Sequence, residues 1–307
     1  MPGRLSLRRW GFHLFCCEVL LPVNPWIQLG LPGLVVAAMT LVGLELTPED
    51  LRRALRRRAL VGIVLVAQTV LLPLVGAAVI LMLRPAPEVA GGLILIAAAS
   101  QATMSNLFSL LGRADVALSV TLTALSSAAA LVVTSFAAAL LHGWFLDGAG
   151  SHALPMAAVA RQVLSGLILP IAAGMLIRHL MPGWVERWRE RFRWTSLGLL
   201  VALLTIIVAG SGVTLREHLG TMVLASALFT VLAAGAGAGL AGLLRWSTKD
   251  RLTMVAGFPA RSLSIATLLA VNVLGRVEFL SFAFVFFVVQ AVLIAPVMWL
   301  SRGRIPA

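Results

Sequence analysis

Charged residues are scarce in this sequence of 307 residues. Only 12% of the residues are charged and 60% are hydrophobic, whereas soluble domains carry about 25% charged and about 45–50% apolar residues. Cysteine is nearly absent, and the two that occur, Cys16 and Cys17, are neighbours in sequence and predict no disulfide framework. These scarcities exclude an ordinary soluble domain and a disulfide scaffold. A mean hydropathy of +1.00 indicates an integral membrane protein.

The apolar residues fall into successive runs that are long enough to cross a hydrocarbon core of about 30 Å as helices. Because lipid cannot satisfy an open backbone, the chain is predicted to be an all-α membrane protein. We place ten transmembrane helices at Trp10–Asn24, Trp26–Leu46, Ala59–Leu83, Glu88–Leu111, Val116–Leu141, Ala157–Ile177, Trp194–Leu215, Leu219–Leu244, Leu252–Gly275 and Phe279–Leu300. The first is short and contains Glu18, so a full helix, a half-span and a signal-like segment remain open. No A-x-A cleavage site follows it, which favours an uncleaved helix.

The arginines and lysines predict the orientation. Of the 24 basic residues, 19 fall on one side of the ten spans and three on the other, while Arg161 and Arg261 lie within spans. The positive-inside rule explains this asymmetry better than nucleic-acid binding does and places both termini in the cytoplasm. If the first segment does not cross, the N-terminus moves outside. The preference for arginine over lysine and the resemblance of the motifs to bacterial ones suggest a bacterial inner membrane.

The ten spans divide into two sets of five, residues 1–150 and 151–307, within one transmembrane transporter domain. Matching spans are offset by about 150 to 165 residues, and the fourth and ninth are both interrupted by polar or helix-breaking residues, a pattern that marks transporter sites built from repeats. Hydropathy and interruption support this division; sequence identity between the halves does not. The interrupting residues are Ser100, Gln101, Thr103, Ser105 and Asn106 in the fourth span and Gly257, Pro259, Arg261, Ser262 and Ser264 in the ninth.

Two neighbouring spans add polar side chains at the same depth. Ser119 and Thr123 lie four residues apart on one face of the fifth helix, with Ser126 and Ser127 a turn further on, and Gln68 lies in the third. Such oxygens can replace the hydration of a monovalent cation. The alternative for each Ser or Thr is a bond to the preceding turn's carbonyl, and Gln68 either bonds a neighbouring helix or lines a cavity.

Arg261 is the only charged side chain in Leu252–Gly275. A mid-bilayer arginine costs from about 2.5–3.5 kcal/mol to more than 10, depending on the method, so it is expected to face protein or water. It could anchor an anionic substrate, act as a fixed positive charge where a cation would otherwise bind, or bond carbonyls as a structural group. Pro259 and Gly257 predict that the helix breaks beside it.

The residues from about Gly30 to Leu300 resemble the bile acid:sodium symporter family. The most specific stretches are GLELTPEDLRRALRRR, the Gln68 segment with its following proline, ATMSNLFSLLGRADVALSVTLTALSS and GFPARSLSIATLLAVNVLGRVEF. The resemblance implies two inverted five-helix repeats, a core domain with two crossing broken helices, and a panel domain against which the core moves. It also implies transport of organic anions, commonly with two sodium ions. By position, Ser105, Asn106, Ser119 and Thr123 match ligands of the first sodium site and Gln68 matches a ligand of the second.

The sequence departs from the family at the second crossing. Sodium-coupled members carry a glutamate and, four residues later, a glutamine, where this chain has Gly257 and Arg261. At 4 Å and an effective dielectric near 20, each unit-charge interaction is worth about 4 kcal/mol, so this swing of about two charges predicts weak or absent sodium binding. The double glycine that commonly precedes the first crossing is also absent.

We therefore predict a secondary transporter of an organic anion, bile acid-like or a small carboxylate, that works by alternating access. The predicted substrate-binding residues are Arg261, Ser262, Asn106 and Gln101. The lipid bilayer and a small anion are the expected partners, with no nucleic acid and no cofactor. A receptor or scaffold without transport is the alternative. An intramembrane enzyme is disfavoured because the sequence lacks an HExxH motif, paired mid-span aspartates and a nucleophile with its base.

Overall fold

The computed structural model describes residues 57–127, 169–188, 212–268 and 278–302, together with a few single positions. Within these ranges the protein is helical. The helices are α1 (Arg58–Leu83), α2 (Pro87–Ala98), α3 (Met104–Leu111), α4 (Val116–Ser127), α5 (Leu169–Leu180), α6 (182–188), α7 (Gly212–Leu243), α8 (Thr248–Gly257), α9 (Leu263–Leu268) and α10 (Phe279–Ser301). The first predicted span, Cys16, Cys17 and Arg161 lie outside the described residues, as do most of the second and seventh spans and parts of the fifth, sixth and ninth.

Three helices of the described chain are long and apolar enough to cross a membrane: Arg58–Leu83, Leu215–Leu243 and Phe279–Ser301. The first and third agree with the predicted third and tenth spans to within one residue at each end. The second differs, because α7 begins at Gly212 and runs through residues 216–218, where a loop was expected. Residues 216–218 include no proline or glycine that would stop a helix. The helix therefore continues through them, and their charged side chains lie in the opening turns of α7.

Helices α1 and α2 show how the sequence sets helix ends. The α1 helix ends where Arg84 adopts a left-handed conformation, with φ 44°, and donates its backbone N–H to the carbonyl of Ile80. Pro87 then occupies the first turn of α2, where proline is favoured because its missing N–H is not needed. Every residue from Val89 to Ala98 is buried, so α2 forms the centre of the hydrophobic core.

The core is closed by α7 and α10 packing on α1 and α2. Phe229 of α7 and Phe286 of α10 meet edge to face, with ring centroids 5.7 Å apart, and both rings are almost completely buried. Gly92 of α2 lies against Phe282, so closely that an added Cβ would come within 2.5 Å of the phenylalanine Cβ. This packing fixes α2, and hence the chain break that follows it, against α10.

Both predicted interruptions are present. The fourth span is divided between α2 and α3 by residues 99–103, and the ninth is divided between α8 and α9 by residues 258–262. Met254 and Phe258 approach Gly237 of α7 closely, which places the second break inside the packed bundle. The ten-helix count and the division into two inverted repeats remain predictions, since the described ranges cover only part of the chain.

Candidate functional site

The two chain breaks lie side by side and pair through their backbones. Gln101 and Arg261 form an isolated antiparallel β-bridge. The N–H of Ala102 donates to the carbonyl of Ala260 and the N–H of Ser262 donates to the carbonyl of Ser100, each at 2.8 Å. Backbone groups freed by interrupting a helix inside a membrane must find partners in protein or water. Here each break supplies one donor and one acceptor to the other.

Arg261 extends from this bridge into the protein. Its side chain is buried, with a relative exposure of 5%, and its Nη2 donates to the carbonyl oxygen of Ala99. Ala99 caps the C-terminal end of α2, where unsatisfied carbonyls carry the negative end of the helix dipole. Arg261 Nε and Nη1 find no acceptor within the described residues. The guanidinium thus neutralises a helix end and keeps two donors available.

Gln101 connects the two breaks to α1 and α4. Its Nε2 donates to Ser105 Oγ at 2.8 Å, its Oε1 accepts from Gln68 Nε2 at 2.9 Å, and its backbone N–H donates to Ser126 Oγ at 3.2 Å. A Cβ built on Gly257 would lie 3.0 Å from Gln101 Nε2 and 3.1 Å from Oε1. The Gln101 amide therefore occupies the space into which a longer side chain at position 257 would extend.

Four of the predicted ligands gather beside Gln101. Ser105 Oγ lies 3.2 Å from both Ser119 Oγ and Thr123 Oγ1. Asn106 Oδ1 accepts from Ser119 Oγ at 2.8 Å and from Thr123 Oγ1 at 3.3 Å. These oxygens are a suitable neutral ligand set for a hard cation. They lack a carboxylate, because no Asp or Glu occurs in either break.

Ser262 makes its described hydrogen bonds to other parts of the two breaks and to helix α9. Its backbone N–H is used in the bridge, and its Oγ accepts from the backbone N–H of Ile265 at 3.4 Å, as a cap of the short helix α9 would. The structure therefore brings together Ser105, Asn106, Ser119, Thr123, Gln68, Gln101 and Arg261 around the paired breaks, and gives Ser262 mainly a backbone role. Which of them bind substrate or ion remains a prediction.

An ionic cluster that the sequence reasoning missed lies where α1, α4 and α8 begin. Arg57 Nη1 and Nη2 donate to Asp250 Oδ1 and Oδ2 at 3.0 and 2.8 Å, and Nη1 lies 3.2 Å from Asp115 Oδ2. Thr253 Oγ1 accepts from the backbone N–H of Asp115 at 3.1 Å. One arginine thereby ties together the starts of three helices, two of which belong to or follow the interrupted spans. The only signal in sequence was that all three charges flank predicted spans on the same side.

The cluster perturbs the ionisation of both Arg57 and Asp250. The hydrogen bond to Asp250 raises the pKa of Arg57. Burial would raise the pKa of Asp250, but hydrogen bonds from Arg57 and Ser247 outweigh burial and hold that pKa below its ordinary value. Both groups are therefore charged across the neutral range, and the cluster acts as a permanent ionic link.

The described chain combines helices long enough to span a membrane with two interrupted helices whose breaks pair inside the bundle. These features are typical of membrane proteins that build their sites from discontinuous helices. The family model described as "Sodium Bile acid symporter family" matches residues 32–218, more than half of the chain. The protein belongs to this family, as the sequence motifs predicted. The second break lies beyond the matched residues.

Curated relatives carry transporter names. The chain is 32% identical over 151 residues to the rice "Probable sodium/metabolite cotransporter BASS2, chloroplastic", covering 48% of this chain and 34% of that protein. It is 28% identical over 188 residues to the Bacillus subtilis "Uncharacterized sodium-dependent transporter YocS", covering 61% and 54%. The chain thus matches between a third and about half of the length of these relatives. They are named as transporters and not as enzymes, in agreement with the prediction.

Proposed function

We propose that the protein is a secondary transporter of a small organic anion, working by alternating access with weak or no sodium dependence, in a bacterial inner membrane with both termini cytoplasmic. Family membership and the relatives' names support transport of a small molecule. The observation that carries the finer proposal is the buried guanidinium of Arg261 at the paired breaks. A fixed positive charge favours an anionic substrate and opposes a cation in the same space.

Arg261 would replace a coupling cation with its own positive charge. Half-helix C-terminal ends commonly help to hold cations in transporters, and in this chain the guanidinium donates to Ala99 at such an end. Its Nε and Nη1, which have no acceptor among the described residues, would serve the substrate carboxylate, since buried donors without acceptors are costly and a bound anion would relieve that cost. The two roles suggested by the sequence, replacing a cation and holding the anion, are compatible.

Gln101 supports the same proposal from the other side of the break. Its amide donates to Ser105 and accepts from Gln68, residues that match ligands of the first and second sodium sites by resemblance. The Nε2 group of Gln101 donates to Ser105 Oγ. It therefore occupies a position from which a cation could otherwise bind that oxygen. Gln101 and Arg261 together would thus replace the contacts that a glutamate at position 257 makes with ions.

Sodium binding can be tested without knowing the substrate. Melting of the purified full chain in detergent is compared in sodium chloride and choline chloride, because a ligand that binds the folded state raises the melting temperature. We expect no sodium-specific shift for the wild type and a shift for Gln101→Ala/Gly257→Glu/Arg261→Gln, in which the carboxylate has room. Arg251→Gln, which removes an exposed arginine, is the control. A sodium-specific shift in the wild type would refute the proposed independence from sodium.

Transport is tested in proteoliposomes with cholate and lactate as the bile acid and small-carboxylate probes. We expect uptake that survives collapse of the sodium gradient and is lost in Arg261→Gln while the variant remains folded. Uptake that needs sodium, or that is unchanged in Arg261→Gln, contradicts the proposal. Probe-induced stabilisation without flux would favour a receptor over a transporter.

A further inference from the structure

An aromatic and arginine-rich segment follows α5, just past the predicted end of the sixth span. The stretch from Trp184 to Trp194 reads WVERWRERFRW and contains four arginines, three tryptophans and a phenylalanine. Its first residues belong to the short helix α6, residues 182–188. We call its described members, Trp184–Trp188, Arg191, Phe192 and Trp194, the aromatic–arginine segment. With two glutamates in the stretch, its formal net charge is +2.

Three aromatic rings of this segment form a cluster. The ring of Trp184 lies with its centroid 6.2 Å from that of Trp188 and 5.4 Å from that of Phe192. The guanidinium carbon of Arg191 lies 4.2 Å from the centroid of the Trp188 ring, within cation–π range. This contact holds one arginine against the aromatic cluster with its charge available.

The segment is exposed in part on the described protein, with Trp188 and Phe192 half-buried. Trp184 is 43% exposed and Trp194 is 66% exposed, whereas Val185 is 3% exposed. Leu180 and Met181, at the junction with α5, are exposed as well. A soluble surface rarely presents such large apolar side chains together. At the end of a predicted transmembrane span, however, tryptophans and arginines are the residues that occupy the boundary between hydrocarbon and headgroups.

We propose that the aromatic–arginine segment binds anionic phospholipid headgroups at the membrane surface. Indole rings would sit at headgroup level with their apolar bodies towards the acyl chains. Guanidinium groups match phosphate oxygens in a two-pronged geometry that lysine cannot reproduce. The exposed arginines Arg187 and Arg191 provide the charge complementarity that selects an anionic lipid over a zwitterionic one.

The test uses the full chain purified in detergent and titrated with dioleoyl phosphatidylglycerol or dioleoyl phosphatidylcholine, followed by thermal melting and by native mass spectrometry of retained lipid. We expect phosphatidylglycerol to raise the melting temperature more than phosphatidylcholine does. Each arginine near an anionic surface contributes about 1 kcal/mol, so Arg187→Gln/Arg191→Gln should weaken the apparent phosphatidylglycerol affinity about thirtyfold, at tenfold per 1.4 kcal/mol.

A matched control removes two other exposed arginines. Arg245→Gln/Arg251→Gln lowers the net charge equally and should keep most of the preference for phosphatidylglycerol. Trp184→Ala should reduce retention of both lipids, because the indole contacts are not charge-selective. The proposal is overturned if both double variants respond to phosphatidylglycerol as the wild type does, if both lose the response equally, or if the two lipids act alike on the wild type. Conversion of a dimer to a monomer by Trp184→Ala, seen by light scattering, would assign the surface to a second copy instead.

Discussion

Replacing Arg57 by glutamine should destabilise the protein by removing the link between three helix starts. Arg57 makes two hydrogen bonds to Asp250 and an ion pair with Asp115. The Asp250 side chain is only 6% exposed, whereas that of Arg57 is 45% exposed. Truncation therefore leaves a nearly buried carboxylate with Ser247 as its remaining side-chain partner.

The expected loss lies between two reference cases. Breaking a fully buried ion pair costs about 3–5 kcal/mol, while an exposed pair is worth about 0.2–1 kcal/mol. Because one partner is buried and the other is half exposed, we expect Arg57→Gln to cost about 1–3 kcal/mol. Arg58→Gln removes a neighbouring exposed arginine that forms no ion pair within the described residues, and it should cost much less.

The assay is melting of the detergent-solubilised protein for Arg57→Gln, Asp250→Asn and the double variant. Partners in direct contact are expected to show non-additive losses, so the double variant should be hardly less stable than the worse single variant. Additive losses, or equal melting of Arg57→Gln and Arg58→Gln, would refute the assignment of a stabilising link to this cluster.

Two further predictions concern the pH dependence of stability at Asp250 and the hydrogen bonds of Ser105. Because the pKa of Asp250 is lowered in the folded state, its contribution is complete at neutral pH and is lost as the pH falls below about 4, so wild type and Asp250→Asn should converge in melting temperature there. Ser105→Ala should cost about 1–3 kcal/mol, because Ser105 bonds Gln101 and borders two further hydroxyls. Ser226→Ala is its control and should be nearly neutral in the same melting assay, since that buried hydroxyl has no partner among the described residues. Equal losses for the two serines would contradict this.

Helix identity and the two interruptions could be predicted from the sequence because they depend on local properties. The apolar run of Arg58–Leu83 exceeds the thickness of a membrane, and Pro259 removes a backbone donor wherever it stands. The gathering of the polar side chains was predictable as well, since Ser119 and Thr123 share one helical face and the resemblance placed Ser105 and Asn106 beside them; their role as ion ligands stays a prediction. The start of α7 was not, because Arg216 and Glu217 are compatible with either a loop or a helix.

The contacts of Gln101, Arg261 and Arg57 were decided by tertiary structure. Sequence alone established that Arg261 lies in a break and that its charge must be accommodated. It could not tell that the guanidinium caps α2 at Ala99, that the amide of Gln101 occupies the space above Gly257, or that Arg57 pairs with carboxylates 58 and 193 residues away. Local propensities act over a few residues, whereas these partners meet only after packing of α2, α7 and α10 has brought the two breaks together.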